Sequence, residues 1–364
     1  MVVTDEEVAA VGEVLRSGVL ANGPEAAALE RSFADYCGLD DAVAVSSGTS
    51  ALVLAGLATG LESGAVVAVP SLTFAASANA FLSIGCRVVP IDVDETTMNI
   101  DPESLEITVE RTPGVAAVVV VDLFGSTAGT DAAMEWARQR GLVVIEDAAQ
   151  AHGALDGRGK RVGGRADITT FSLYATKNVA GGEGGLVTAT TADVLDMVRR
   201  LRNHGGFEAY RHEMVGLNHR ITEVSAVLAR YQLDRLEDGN KVRRRNAAAL
   251  AEWCVEAWGD AVAVPPEATN GDPTHVFHQF TVRFRRPEQR NRAMSALHEL
   301  GVDARHFYPY VIGELPGVDS ADAPVAESLR DRVLSLPVHP ALTDDQLVIL
   351  RDAVLSTSSD VRNA

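Results

Sequence analysis

Lysine is nearly absent from this 364-residue sequence. Among 32 cationic residues only Lys160, Lys177 and Lys241 are lysines, and the rest are arginine. Cysteine is equally rare. Cys37, Cys86 and Cys254 lie far apart and form no CxxC or Cys/His spacing, which excludes a zinc site and a disulfide framework and suits a reducing cytoplasm. Positive charge is in deficit, with a formal net charge of -18 and a pI near 4.9. That deficit argues against a broad nucleic-acid or anionic-membrane surface, which needs clustered cations to displace counterions. The one basic run, 241–245 (KVRRR), reads as a solvated or subunit-contacting helix face. Long apolar runs are missing too. Val115 to Val121 is far too short to span a bilayer, and the first residues are acidic with no apolar leader, so a soluble protein is expected.

The length suits one large domain and a smaller one with a full α/β core. Thr4 and Glu7 form a capping-box pattern ahead of a helix whose Val8, Val11 and Leu15 share a face, and Gly18 stops it. Pro24 opens a second helix with Leu29 and Phe33 facing inward, and Gly38 ends it. From Ala42 the texture changes. Val43 to Val45, Val66 to Val69, Val88 to Ile91, Val115 to Val121 and Val143 to Ile145 read as buried strands. Ala51 to Ala58, Phe74 to Ile84 and Ala132 to Arg140 read as helices between them. Such alternation predicts a largely parallel sheet covered on both faces, with ligands at the carboxyl ends of its strands.

The unusual residues fall at those ends. Ser46-Ser47-Gly48-Thr49-Ser50 opens a helix, and a helix N-terminus with a glycine and hydroxyls suits a phosphate. Pro70-Ser71-Leu72-Thr73-Phe74 sets an aromatic ring at the same mouth. Glu146-Asp147-Ala148-Ala149-Gln150 follows a buried strand, placing a carboxylate where it can pair with a cationic ring nitrogen and an amide where it can donate to a phenolic oxygen.

Lys177 lies between two strands, Ile168 to Tyr174 and Leu186 to Thr188, in a turn where Gly181, Gly182, Gly184 and Gly185 permit positive φ. Arginine would serve for charge alone. A lysine amine can lose its proton and attack a carbonyl, which guanidinium cannot. Only roughly one ordinary lysine in two thousand is neutral at pH 7, so a catalytic amine needs a partner that keeps it deprotonated or covalently engaged. An aldehyde cofactor does both. An anion site, an aromatic face, a buried acid, an amide donor and this lysine are together what pyridoxal 5'-phosphate (PLP) requires.

These residues carry a resemblance. SSGTSAL (46–52), PSLTF (70–74), EDAAQAHGA (146–154), FSLYATKN with GEGG (171–185), LRNHG (201–205), GLNHRITE (216–223) and LPVHPALT (336–343) resemble, in order, the DegT/StrS-like family of PLP-dependent, fold-type I nucleotide-sugar aminotransferases. The resemblance implies an α/β fold, with a large domain on a mostly parallel mixed sheet and a smaller C-terminal α+β domain. We place the division at 1–239 and 240–364. It also implies Lys177 as the Schiff-base lysine, Asp147 as the pyridinium partner, Gln150 at the phenolic oxygen and Phe74 stacked on the ring. Gly48, Thr49, Ser50 and Ser172 would hold the phosphate, completed by Asn218 or Arg220 from the other subunit of a dimer with shared sites.

L-glutamate would give the amino group, and a nucleotide-linked keto-deoxysugar, or less often a keto-cyclitol, would take it. The run from Asn178 to Glu183, both placed at the substrate, looks more like that of 4-aminotransferases than of 3-aminotransferases, so the expectation leans to a 4-keto sugar. His306 and Tyr308, in a strand and turn from Val302 to Tyr310, are further substrate candidates. A dehydrating relative with histidine at the lysine position is disfavoured by Lys177 itself. A PLP-binding regulator remains the reading from another class, although the sequence shows no added DNA-binding segment. Val276 to Phe284 is expected as a strand, Arg292 to Leu300 as a helix, and 356–364 as a frayed end.

Overall fold

The computed structural model describes residues 2–206 and 210–364. Helices α1 (Asp5–Ser17) and α2 (Pro24–Cys37) precede a seven-stranded sheet built from β1 (Val43–Val45), β2 (Val66–Pro70), β3 (Arg87–Ile91), β4 (Val115–Val121), β5 (Val143–Asp147), β6 (Ile168–Ser172) and β7 (Gly185–Ala189). Between these strands lie α3 (Gly48–Ala58), α4 (Ala76–Ser83), α5 (Pro102–Arg111) and α6 (Thr130–Gln139), with α7 (Ala192–Arg202) after β7. The spatial order is β1-β7-β6-β5-β4-β2-β3, and only β7 runs against the rest. The sheet is therefore mixed and mostly parallel, and the ends of β1, β2, β4, β5 and β6 open on one side.

Alternation along each strand feeds two cores. Val67, Val69, Ala117 and Val119 pack toward α3, α4 and α7, whereas Val66, Ala68, Val118 and Val120 pack toward α5 and α6. Both faces are dry, which is why the strands read as continuous apolar runs. Helix α5 was not apparent from periodicity, although Asp101 caps it through Ser104 N–H at 2.8 Å and Pro102 occupies its first turn.

The capping box at Thr4 and the left-handed Gly18 cap form as expected, and Leu29 and Phe33 are buried. The apolar face of α1 is different. Val8 and Leu15 point outward, while Glu7 and Val14 are buried, because the Glu7 carboxylate accepts from Gln232 at 2.6 Å and Arg235 at 2.8 Å in the segment that follows α7.

That segment holds α8 (Glu223–Asp234) and α9 (Leu236–Trp258). Helix α9 runs unbroken through Gly239. Leu236 packs in the core under α2, whereas Ala247, Leu250, Cys254 and Trp258 pack in a second core. The second core covers a three-stranded antiparallel sheet of β8 (Val262–Ala263), β9 (Phe280–Phe284) and β10 (Val333–Leu336). It is completed by α10 (Pro266–Asn270), α11 (Pro287–Glu299), α12 (Pro324–Arg332), α13 (Asp344–Ser356) and α14 (Ser358–Arg362).

Several sequence expectations are corrected here. The strand expected over 276–284 begins only at Phe280, because Val276 N–H and Gln279 N–H are drawn to the carbonyls of Gly125 and Phe124 in the loop after β4. No strand forms over 302–310, where Arg305 makes an isolated bridge to Ser335. The end of the chain is docked rather than frayed. Val361 is fully buried, and Ser358 Oγ and Arg362 Nε donate to the Ala257 carbonyl at 2.6 and 2.8 Å. Within the basic run, Lys241 is exposed and paired with Asp238, but Arg243 is buried.

Candidate active site

The strand ends converge on a cleft of about 570 Å3 whose walls include Gly48, Thr49, Phe74, Asp147, Gln150, Ser172, Lys177, Glu183 and Tyr308. At β1, Ser47 caps α3 by accepting from Ser50 N–H at 3.0 Å, which leaves the N–H groups of Gly48 and Thr49 without an acceptor on the helix or its cap. Those two donors and the helix dipole make an anion cradle. Gly48 is required there. A Cβ on it would stand 2.7 Å from Ser172 Cβ, so only glycine lets β6 and α3 close over the site. Ser50, expected among the phosphate contacts, turns its hydroxyl to Ser46, Ser47 and His219 Nδ1 and is absent from the cleft wall.

Asp147 closes β5 at the cleft floor. It is buried, with Oδ2 accepting from Ser77 Oγ at 2.7 Å and Oδ1 from Ala149 N–H at 3.2 Å. Burial pushes its carboxyl above the usual range, while Ser77, the Ala149 amide and Lys177 pull it back. Ser77 escaped the sequence reading. The available signal was its place three residues after Phe74, one helical turn along, and Thr73 Oγ1 holds it at 3.0 Å.

Lys177 reaches the same floor from the β6–β7 turn, where Gly182 and Gly184 take φ of +86° and +154°. Burial lowers its amine to about 8, against the pull of Asp147. A lysine so placed is partly neutral at physiological pH and can act as nucleophile and proton carrier. Phe74 is exposed at the mouth, 5.8 Å from the Tyr308 ring.

Gln150 is more committed than expected. Its Oε1 accepts from Phe124 N–H at 2.5 Å and its Nε2 donates to Tyr308 Oη at 2.9 Å. Tyr308 thus belongs to the site. His306 does not, since its ring nitrogens meet the Arg330 carbonyl and Arg290 Nη1 away from the cleft. Asn178 is likewise diverted. Its Nδ2 donates to Asn240 Oδ1 at 3.0 Å and its Oδ1 faces His278 Nδ1 at 3.2 Å. Asn218 and Arg220 lie outside the cleft of their own chain, with Arg220 bonded to Asn218 Oδ1 at 3.1 Å and Asn203 Oδ1 at 3.0 Å.

Behind Asp147 lies a buried ionic cluster that the sequence reading also missed. Arg165 joins Asp122 Oδ1 at 2.8 Å, Glu146 and Asp131 Oδ1 at 3.0 Å, and Thr169 Oγ1 holds the other Glu146 oxygen at 2.8 Å. This ties the ends of β4, β5 and β6 together around the floor. Among the described residues no His, Cys, Asp or Glu cluster is arranged to hold a metal, and no helix is long and apolar enough to cross a membrane.

The sequence model of the DegT/DnrJ/EryC1/StrS aminotransferase family matches residues 2–354. The chain is 38% identical to the dTDP-3-amino-3,4,6-trideoxy-alpha-D-glucose transaminase of Streptomyces venezuelae, over 98% of this chain and 93% of that one. It is 36% identical to the UDP-N-acetyl-3-dehydro-alpha-D-glucosamine 3-aminotransferase of Acidithiobacillus ferrooxidans, over 97% and 94%. Its structure superposes on S. venezuelae DesV, solved in complex with a ketimine intermediate, with a TM-score of 0.89 at 37% identity, covering 97% of this chain and 94% of that chain.

Proposed function

The chain belongs to the DegT/DnrJ/EryC1/StrS aminotransferase family of sugar aminotransferases, and from that premise we propose that it moves the amino group of L-glutamate to carbon 3 of a nucleotide-linked keto-deoxysugar. The observation that carries the reading is Lys177 and buried Asp147 on one cleft floor, with the Gly48 cradle at its edge.

The residues fit PLP. The unsatisfied amides of Gly48 and Thr49 suit its phosphate, the Asp147 carboxylate its ring nitrogen, Phe74 its ring face and Lys177 its aldehyde. When bound, the cofactor supplies the carbon that takes the amino group and a ring that accepts electrons as the substrate Cα–H bond breaks. The chain does the rest. Asp147, whose ionised form the hydrogen bonds from Ser77 and the Ala149 amide favour against burial, would hold a proton on the ring nitrogen. Lys177 Nζ, near neutrality, takes and returns the substrate proton. Tyr308, held by Gln150, sets one wall against Phe74.

Carbon 3 differs from the lean to carbon 4 taken from the 178–183 run, and relatives of about the same identity act at either position. Asn178 is engaged with Asn240 and His278, so that run is a weak guide to the sugar, and both relatives described above carry carbon 3 in their names. The site is shared in a homodimer. Exposed Val8, Leu15, Val19 and Leu20 give a second copy an apolar face to cover, and Arg220 has no carboxylate partner among the described residues.

The test is the visible spectrum of the PLP-loaded protein on adding L-glutamate alone. Loss of the yellow band and growth of the pyridoxamine band is expected, and reaction of the product form with 3-keto but not 4-keto nucleotide sugars then follows. Lys177→Ala abolishes turnover while PLP still binds without a covalent bond. Full activity in that variant removes Lys177 from the chemistry, and a loaded protein indifferent to glutamate and to every keto sugar overturns the reading in favour of a regulator.

A further inference from the structure

A second cavity, of about 540 Å3, adjoins the cleft and shares Thr176, His278, Gln279 and Phe307 with it. Its wall carries Arg243, which is 7% exposed. Among the described residues the only partners of this guanidinium are two carbonyls, Phe277 O at 3.2 Å and His278 O at 3.4 Å, both met by Nη1. Among the described residues Nε and Nη2 have no acceptor and no carboxylate lies within ion-pair distance. Burial lowers the pKa of Arg243 to about 10 with nothing offsetting it. A buried cation left unpaired is costly, and an anion entering with a ligand would offset that cost. Gln279 Oε1, also on the shared wall, is buried without a partner.

The other polar groups limit the charge of that anion. His278 and His339 are held neutral by burial, and Arg305 is paired with Asp303 at 2.6 Å. One uncompensated positive charge therefore faces the cavity, which suits one carboxylate and not a diphosphate. Leu336, Val338 and Ile349 line the remainder and suit methylene groups.

We propose that this cavity receives the side-chain carboxylate of a dicarboxylic amino donor, with Arg243 as the residue that selects such a donor over a neutral one. The proposal rests on the transaminase reading above. The backbone of His278 accepts from Arg243 while its ring lines the cleft with Lys177, so this one residue joins the cleft of the amine to the cavity of the guanidinium, the path a short dicarboxylic acid would follow. The planar fork of arginine grips a carboxylate through the two nitrogens left free.

The test compares glutarate with valerate, acids of equal length that differ by one carboxylate, by calorimetric titration of the PLP-loaded protein. Glutarate is expected to bind at least about 30-fold more tightly. Arg243→Gln is expected to erase the preference, and Arg243→Lys to keep part of it. If Arg243→Gln fails to fold, the comparison on the unaltered protein and on Arg243→Lys still decides. Equal affinities for the two acids, or a preference that persists in Arg243→Gln, overturn the proposal. So does binding of uridine diphosphate that Arg243→Gln abolishes while glutarate is unaffected. The spectral change with L-glutamate is read separately. A protein that turns glutamate over without preferring glutarate loses only this subsite, whereas one that prefers glutarate but ignores glutamate loses the donor assignment above.

Discussion

Ser77 Oγ donates to Asp147 Oδ2 at 2.7 Å, across 70 residues of sequence, and among the described residues it is the one side-chain hydroxyl that steadies the buried acid of the cleft. A hydrogen bond to the ionised form favours it, so Ser77→Ala raises the already elevated carboxyl further. The loss of such a bond is worth about 1–2 kcal/mol, or roughly one pH unit. The acid limb of the pH profile of kcat/KM is expected to move up by about that much. A merely structural role for Ser77 would lower the whole profile without moving the limb.

Lys177 predicts an alkaline signature in the cofactor-free protein. Its amine falls to about 8 from the ordinary 10.5 because burial disfavours the charge. Between those values the folded protein binds fewer protons than the unfolded one, so the lysine's contribution to stability rises with pH across that window and is least favourable below 8. At pH 7.5 Lys177→Met is expected to be more stable than the unaltered protein by on the order of 1–3 kcal/mol after allowance for solvent screening. Urea unfolding at pH 7.5, 9 and 10.5 checks that this advantage shrinks as pH rises.

Arg165 compensates Asp122 and Glu146, both fully buried. Arg165→Met leaves two carboxylates uncompensated and is expected to cost about 3–5 kcal/mol, read as a fall in the urea midpoint. Adding Asp122→Asn and Glu146→Gln to it should recover most of the loss. A mild effect of the single change would show that water reaches the cluster.

Gly48→Ala sets two Cβ atoms 2.7 Å apart. Overpacking of this kind costs about 1–3 kcal/mol, and the displaced amides should weaken PLP binding at least about 10-fold. Ser172→Gly in the same chain removes the colliding atom, so the double variant should regain thermal stability. PLP affinity should then recover only as far as the Ser172 hydroxyl is dispensable, which equilibrium dialysis measures.

How much of this was legible depends on sequence distance. The strands, the Ser47–Ser50 turn, Asp147 and Lys177 were readable because each is a local pattern. An apolar run followed by small, polar or glycine residues marks a strand end whatever the rest of the chain does, and in a parallel sheet those ends share one side. The sequence is a weaker guide where one residue type serves two purposes. Asn178 and His306 had the chemistry of substrate contacts, but Asn240, His278, Arg290 and the Arg330 carbonyl claim them in the fold. The end of the chain looked frayed because Ser and Asp are abundant there, yet Val361 finds an apolar slot beside Trp258 that no local pattern reveals.

By itself the sequence determined the α/β alternation, the serine- and glycine-rich turn that opens α3 and a lysine set in a glycine-rich turn at the strand ends, since backbone periodicity and helix capping act within a few residues. Only the tertiary structure decided that Gln150 would hold Tyr308, that Arg165 would join Asp122 to Glu146, and that Arg243 would lie unpaired on a cavity wall. Those pairings are set by which groups lose water together when the two cores close, and that depends on the packing of distant segments.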